Sequence, residues 1–102
     1  MKIAISSNGK TEDSEISVAS GRAVYYLIFE NGKLLKVLKN PFRVGGGGAG
    51  FGVAEMLGDE NVNLVISGQF GINMQGALKD KGIKFKTVEG VNVKIALEEF
   101  KW

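Results

Sequence analysis

The chain has 102 residues, with 13 basic and 11 acidic side chains and a formal net charge of +2. This length suits a single domain with one hydrophobic core, which we place at residues 1–102. So small a net charge argues against nucleic acid or an anionic membrane as the main partner. Cysteine and histidine are both absent, which excludes a disulfide, a Cys/His metal site, a cysteine nucleophile and an imidazole base.

Membrane and export signals are missing from the sequence pattern. No apolar run approaches the roughly 20 residues that a membrane-spanning helix needs. The first residues, Met1–Ile5, begin directly with a strand-like pattern and show no signal peptide. We therefore expect a cytoplasmic protein without a membrane partner.

Hydrophobic periodicity and turn residues predict five strands and three helices. The predicted strands are Lys2–Ser7, Arg22–Glu30, Lys33–Lys39, Asn63–Ser67 and Ile83–Val88. The predicted helices run from the glycine-rich segment to about Gly58, over about Ile72–Lys81, and from Val93 to the end of the chain. Asn31-Gly32 is a strong hairpin signal between the second and third strands. Lys10–Ser20 is too polar to pack and is expected to form a loop.

The order of these elements, β-β-β-α-β-α-β-α, predicts the topology. A hairpin joins the second and third strands, and right-handed crossovers join the later strands in parallel. We expect a three-layer α/β/α fold around a five-stranded mixed sheet in the order 3-2-1-4-5, with only the second strand antiparallel. This arrangement is a ribonuclease H-like motif.

The run Gly45–Gly52 contains six glycines in eight residues and precedes a predicted helix. Backbone N–H groups laid bare at a helix N-terminus form a positively polarised seat for an anion. Glycine also weakens a helix start by about 1 kcal/mol relative to alanine, so stability does not explain its use here. A flexible connector is the alternative interpretation.

A binding site is expected where the order of connections in the sheet reverses, beyond the carboxyl ends of the strands. In the predicted sheet this point lies between the first and fourth strands, and the glycine run and two arginines reach the same edge. The candidate anion-binding residues are Ser6, Ser7, Asn8, Arg22, Arg43, Gly46, Gly47, Gly48, Gly68 and Gln69. The alternative is that the arginines are merely solvated and that the glycines only make tight turns.

Two better-known chemistries do not fit the sequence. Gly45, Gly47 and Gly50 match G-x-G-x-x-G, but this pattern needs an acidic residue at the end of the next strand, which here ends in Ser67. A two-metal nuclease needs clustered carboxylates, with one expected on the first strand, and Ile3–Ser6 carries none. We therefore expect no metal ligands and no catalytic residues.

Several short motifs follow one another along nearly the whole chain. They are Met1–Ile5, Gly21-Arg22-Ala23 before an aromatic strand, Asn40-Pro41, Gly47–Gly50, Val65–Gly71, and Leu78 with Gly82–Lys84. In their order and spacing the chain resembles the dinitrogenase iron–molybdenum cofactor biosynthesis family, a nitrogenase accessory factor (NifX-like) domain. The resemblance implies a ribonuclease H-like fold. It also implies a non-catalytic accessory or carrier protein that binds iron–sulfur or molybdenum-containing cluster precursors and works with metallocluster assembly proteins.

The chain departs from the family pattern at the second strand. The family usually has His-Phe-Gly-Arg there, whereas this chain has Ala19-Ser20-Gly21-Arg22, and histidines near the glycine loop are missing. A cluster would therefore be bound without Cys or His ligands, as a whole polyanion held by arginines and backbone N–H groups, in a monomer or in a homodimer cleft.

Two other functions stay open at this point. One is a regulator or interaction module that has lost cluster binding and takes a phosphate- or nucleotide-type anion. The other is an enzyme, for which the sequence offers only carboxylates and hydroxyls without a base partner. We expect a protein that is not an enzyme.

Overall fold

Five apolar or alternating segments form one mixed sheet, and three amphipathic segments form the helices that cover it. The computed structural model describes residues 1–43 and 49–100. The strands are β1 Lys2–Ser7, β2 Tyr25–Glu30, β3 Lys33–Lys39, β4 Leu64–Ser67 and β5 Lys84–Thr87. The helices are α1 Ala49–Asp59, α2 Ile72–Asp80 and α3 Val93–Glu98.

The sheet has the order β3-β2-β1-β4-β5. β2 runs antiparallel to both β1 and β3, whereas β1 pairs in parallel with β4, and β4 pairs in parallel with β5. The predicted fold class and strand order are therefore confirmed. The carboxyl ends of β1, β3, β4 and β5 all reach one side of the sheet, which we call the carboxyl edge; the opposite side is the amino edge.

The hairpin between β2 and β3 follows from its two central residues. Asn31 has φ 52° and Gly32 has φ 82°, the left-handed pair that a type I′ turn requires. The register of the pair shifts between Ile28 and Phe29, which marks a bulge in the hairpin.

Alternating residues of the strands feed two cores, one on each face of the sheet. On the first face, Tyr26 and Val65 pack with Leu57 of α1 and Leu78 of α2. The second face is covered by α3 and contains a different set of buried residues: Ile3, Ile5, Leu27, Phe29, Ile66, Val93, Ala96 and Leu97. Tyr25 belongs to this second face, so the two neighbouring tyrosines lie on opposite sides of the sheet, as the strand period predicts.

The expectation that Lys10–Ser20 is too polar to pack is wrong. Ile16 is only 5% exposed and belongs to the core under α3. Its N–H donates to the carbonyl of Val91 at 3.1 Å, and the N–H of Val93 donates to the carbonyl of Ser14 at 2.9 Å. One apolar side chain and a set of satisfied backbone groups are enough to dock this polar segment against the start of α3.

Some element boundaries also differ from the sequence prediction. β2 begins at Tyr25 instead of Arg22, and the carbonyls of Gly21 and Ala23 accept from the side chain of Asn40 instead of from a neighbouring strand. β5 is shorter at both ends, and α3 stops at Glu98, while residues 101–102 lie outside the described residues. No helix in the described parts of the chain has the length and apolar character to cross a membrane.

Candidate functional site

A cleft of about 410 Å³ opens at the carboxyl edge, between the first turns of α1 and α2 and the turn before β2. The residues that line it come from these three places and from the loop after β4: Ala19, Ser20, Gly21, Arg22, Ala49, Gly50, Gln69, Phe70, Gly71, Ile72, Asn73 and Met74. The cleft therefore opens beside the carboxyl end of β4, and none of its described lining residues belongs to β1 or to Asn8 directly after it.

Two glycines of the glycine run allow α1 to pack closely. A Cβ on Gly50 would lie 2.9 Å from the Cβ of Met74 in α2. A Cβ on Gly52 would lie 2.5 Å from the ring of Phe42. Glycine is therefore needed at both positions because a larger residue would overlap its neighbours. Neither the anion-seat interpretation nor the connector interpretation anticipated this packing role.

The N-terminus of α2 opens into the cleft without a cap. Gly71 is the N-cap and has no side chain to accept a hydrogen bond, and the first turn carries no acidic residue. The first helical hydrogen bond runs from Gln75 N to Gly71 O at 3.0 Å. Within the described residues no acceptor takes the N–H groups of Ile72 and Asn73. The positive end of the helix macrodipole therefore faces the cleft.

The cationic side chain of the cleft is Arg22, which is exposed and lies in the turn before β2. Its Nη1 donates to the carbonyl oxygen of Arg43 at 3.3 Å, so the two predicted arginines are neighbours. The contact uses the backbone of Arg43, and Arg43 itself does not line the cleft. Gln69 does line it, and its Nε2 lies 3.5 Å from Oε1 of Glu89.

The predicted residues after β1 lie outside the cleft lining. Ser6 is fully buried and its Oγ donates to Oγ of Ser67 at 2.6 Å. Ser7 is also buried, and its Oγ donates to the carbonyl of Gly9 at 2.7 Å. Asn8 is exposed, and its N–H donates to a neighbouring loop carbonyl at 3.0 Å. The hydroxyl groups of the two serines are thus engaged inside the protein.

Gly68 has a structural role at this edge. Its N–H donates to the carbonyl of Ser17 at 2.9 Å. A Cβ at this position would lie 2.4 Å from the carbonyl oxygen of Val18. Gly68 therefore lets two backbone segments touch, and its own donor is already used. Gly46, Gly47 and Gly48 lie outside the described residues.

Sequence reasoning missed most of the α2 side of the cleft. Gly71, Ile72 and Asn73 line the cleft but are not among the candidate anion-binding residues. A usable signal was present: Gly71 stands where helices usually carry Ser, Thr, Asp or Asn, so an N-cap without a polar side chain could have indicated free donors.

Two further features limit the chemistry of the site. Within the described parts of the chain no three acidic residues are grouped closely enough to hold a metal ion. Beneath the cleft, burial raises the pKa of Tyr26 above its ordinary value, and the hydroxyl of Tyr26 donates to the carbonyl of Ser20. Tyr26 therefore stays protonated, and the cleft offers donors and positive charge.

Comparison with known proteins gives a family and a fold. The family described as "dinitrogenase iron-molybdenum cofactor" matches residues 1–101. The apo form of the orange protein from Desulfovibrio gigas superposes with a TM-score of 0.91 and 24% identity, covering 97% of this chain and 85% of that one. An NMR structure from Thermotoga, described provisionally as a NifB protein of the DUF35 family, superposes with a TM-score of 0.80 and 29% identity over 97% and 85% of the two chains. Among curated proteins none matches this chain significantly.

Proposed function

Because this chain belongs to the dinitrogenase iron-molybdenum cofactor family, we propose that it is an accessory protein that binds an anionic metal–sulfur cluster precursor as cargo. The cargo occupies the cleft at the carboxyl edge and is passed to or from metallocluster assembly proteins. The proposal takes residues 1–102 as one cytoplasmic domain that acts as a monomer or a homodimer without catalytic residues of its own.

One observation carries this proposal: an uncapped helix N-terminus and a guanidinium group lie on the same cleft. The N-terminus of a helix acts as about half a positive charge and presents N–H donors. The guanidinium group of Arg22 adds a full positive charge. Both groups favour an anion, and the first turn of α2 contains no carboxylate to compete with one.

The side chains that the protein has available determine how it can hold a metal–sulfur cluster. The chain has no cysteine and no histidine, so it cannot replace the ligands of an iron or molybdenum centre with thiolate or imidazole. An intact cluster that carries its own sulfur ligands needs only charge and hydrogen bonds from the protein. The cluster can then be released without breaking a bond between the metal and the protein, which suits a carrier.

A phosphate- or nucleotide-type anion is the second candidate. The same helix N-terminus favours it, because phosphate groups commonly bind at such positions. The absence of both cysteine and histidine removes the usual reason to prefer a metal cluster. The two candidate functions are distinguished by whether the protein binds a metal–sulfur anion or a phosphate-type anion more tightly.

The test is an anaerobic titration with tetrathiomolybdate, a simple molybdenum–sulfur anion, followed by visible absorbance and by co-elution in gel filtration. We expect the wild type to bind it and Arg22→Ala to bind about tenfold more weakly or worse, since charge-assisted hydrogen bonds contribute about 1.5–3 kcal/mol.

Lys81→Ala is the matched control, because it removes one positive charge at the amino edge and should leave affinity unchanged. Equal affinity in the wild type and Arg22→Ala would contradict the proposed site. Binding of inorganic phosphate or ATP without binding of tetrathiomolybdate would favour the second candidate.

A further inference from the structure

The side chain of Asn40, just after β3, connects the two turns beside the cleft. Asn40 is 3% exposed. Its Nδ2 donates to the carbonyl of Gly21 at 3.1 Å and to the carbonyl of Ala23 at 2.9 Å. Its Oδ1 accepts from the N–H of Phe42 at 2.9 Å. A single buried amide thus binds the turn that carries Arg22 on one side and the turn that leads to Arg43 on the other.

Tyr26 holds the same turn from below. Its side chain is fully buried, and its hydroxyl donates to the carbonyl of Ser20. Asn40 and Tyr26 thus supply three bonds to this turn. The carbonyls of Ser20, Gly21 and Ala23 all accept from these buried side chains. None of the residues that line the cleft supplies these donors.

This bonding pattern determines where the N–H groups of the turn point. In a trans peptide the C=O and the N–H point in opposite directions. Because the carbonyl of Ser20 faces Tyr26 in the core, the N–H of Gly21 points away from the core. The carbonyl of Gly21 faces Asn40, so the N–H of Arg22 also points away from that buried amide. Within the described residues no protein acceptor takes the N–H of Gly21, and Gly21 lines the cleft.

We infer that Asn40 and Tyr26 are positioning residues of the anion site. Neither side chain lines the cleft, but each binds the carbonyl of a residue that does. Together they hold the turn over residues 20–23 so that the N–H of Gly21 and the base of Arg22 face the cleft before any ligand arrives. This inference rests on the proposed function, and it adds a role for two residues that the proposed function does not mention. Preorganisation of this kind strengthens binding because less conformational freedom is lost on association.

Asn40 also links the turn to α1. The N–H of Phe42 binds Oδ1 of Asn40 at 2.9 Å, and the ring of Phe42 lies where a Cβ on Gly52 would be. The Arg22 turn, the end of β3 and the first turn of α1 therefore share one buried joint. Displacement of Asn40 should change the separation of the Arg22 turn and α1, which form two walls of the cleft.

The sharpest variant is Asn40→Asp. It preserves size and the acceptor for Phe42, but it replaces the N–H donor with an oxygen that faces two carbonyl oxygens. Tyr26→Phe is the second variant: it keeps the ring in the core and removes only the donor to Ser20. Leu97→Ala is the matched control, because it weakens the core under α3, on the opposite face of the sheet.

The experiment measures two quantities for the wild type and these variants: affinity for tetrathiomolybdate by absorbance titration, and backbone ¹⁵N order parameters of Gly21 and Arg22 without ligand. We expect affinity to fall about three- to tenfold in Asn40→Asp and by a smaller factor in Tyr26→Phe. The order parameters should fall from about 0.85 towards 0.6 in Asn40→Asp. Leu97→Ala should change neither quantity below its melting temperature.

The outcomes separate this inference from the proposed function. If the wild type binds and both variants match Leu97→Ala in affinity and order parameters, the positioning role is overturned while the proposed function stands. If the wild type binds no anion, both the proposed function and the positioning role of Asn40 and Tyr26 in binding are overturned. If Asn40→Asp does not fold, Tyr26→Phe decides the question, and unchanged affinity in that variant would overturn the inference.

Discussion

The carboxyl and amino edges of the sheet each carry a depression of similar size but of opposite character. The carboxyl-edge cleft measures about 410 Å³ and the amino-edge depression about 480 Å³. The first is bordered by the starts of α1 and α2, and the second by their ends: Gly58, Asp59, Asn61, Val62, Asn63, Lys81, Gly82 and Ile83. Volume therefore does not distinguish a candidate binding site from an ordinary surface hollow in this protein.

At the amino edge, the end of α2 and the ammonium group of Lys81 already have partners. The carbonyl of Leu78 accepts from the N–H groups of Lys81 and Ile83 at 3.1 and 2.9 Å. Gly82, just after α2, has a left-handed φ of 70°, a conformation that commonly ends an α-helix. The ammonium group of Lys81 pairs with Glu55 at 3.0 Å. At the carboxyl edge, by contrast, the first N–H groups of α2 lack acceptors within the described residues. The contrast teaches that unused donors, and not empty volume, mark the candidate site.

The largest expected effect compares one glycine from each edge. Gly68→Ala should lower the free energy of unfolding by about 3 kcal/mol, because the new Cβ overlaps a backbone oxygen that cannot easily move. Gly82→Ala should cost only about 1 kcal/mol, because the left-handed φ is strained but the space is open. Urea unfolding of the two variants measures both values. Equal losses would show that backbone contact at the carboxyl edge is looser than described.

A smaller effect concerns the buried phenol beneath the cleft. Burial raises the pKa of Tyr26 in the folded state above the ordinary value near 10. The unfolded state then loses its proton first, so stability falls as pH rises above about 10, by about 1.4 kcal/mol per pH unit from this group. Tyr26→Phe removes that part of the slope. Urea unfolding of wild type and variant from pH 9 to 11 tests it; parallel curves would contradict the buried, protonated phenol.

The smallest effect is expected at the amino edge. Glu55→Gln removes the partner of Lys81, but both side chains are substantially exposed. Such a pair contributes about 0.5 kcal/mol or less to the free energy of unfolding. Affinity for tetrathiomolybdate should not change in this variant. A loss of affinity comparable with that of Arg22→Ala would show that the edges do not differ as described.

Sequence reasoning reached the fold more completely than the site. The apolar runs and Asn31-Gly32 carry local information, so strand order and hairpin could be predicted. The site depends on partners distant in sequence. Nothing in Ser6 reveals that its hydroxyl binds Ser67, and nothing in Asn40 reveals that it holds the turn that carries Arg22. Polar residues at strand ends were therefore named as ligand contacts, while the buried residues that shape the cleft were passed over.

The central claim, that the uncapped start of α2 is an anion seat, is tested most directly at Gly71. Apart from its two chain neighbours, no described residue has an atom within 4 Å of a Cβ built at this position, so a side chain fits there. Gly71→Asp caps the helix with a negative charge, and Gly71→Asn supplies a similar cap without one. Urea unfolding and tetrathiomolybdate titration are measured on both variants and the wild type.

We predict that Gly71→Asp raises the free energy of unfolding by about 0.5 kcal/mol, through the cap and the helix dipole. The same variant should bind tetrathiomolybdate at least about tenfold more weakly than wild type, an energy of about 1.4 kcal/mol. Gly71→Asn should lie between the two in affinity. A Gly71→Asp protein that is stabilised yet binds the anion as tightly as the wild type would contradict the account.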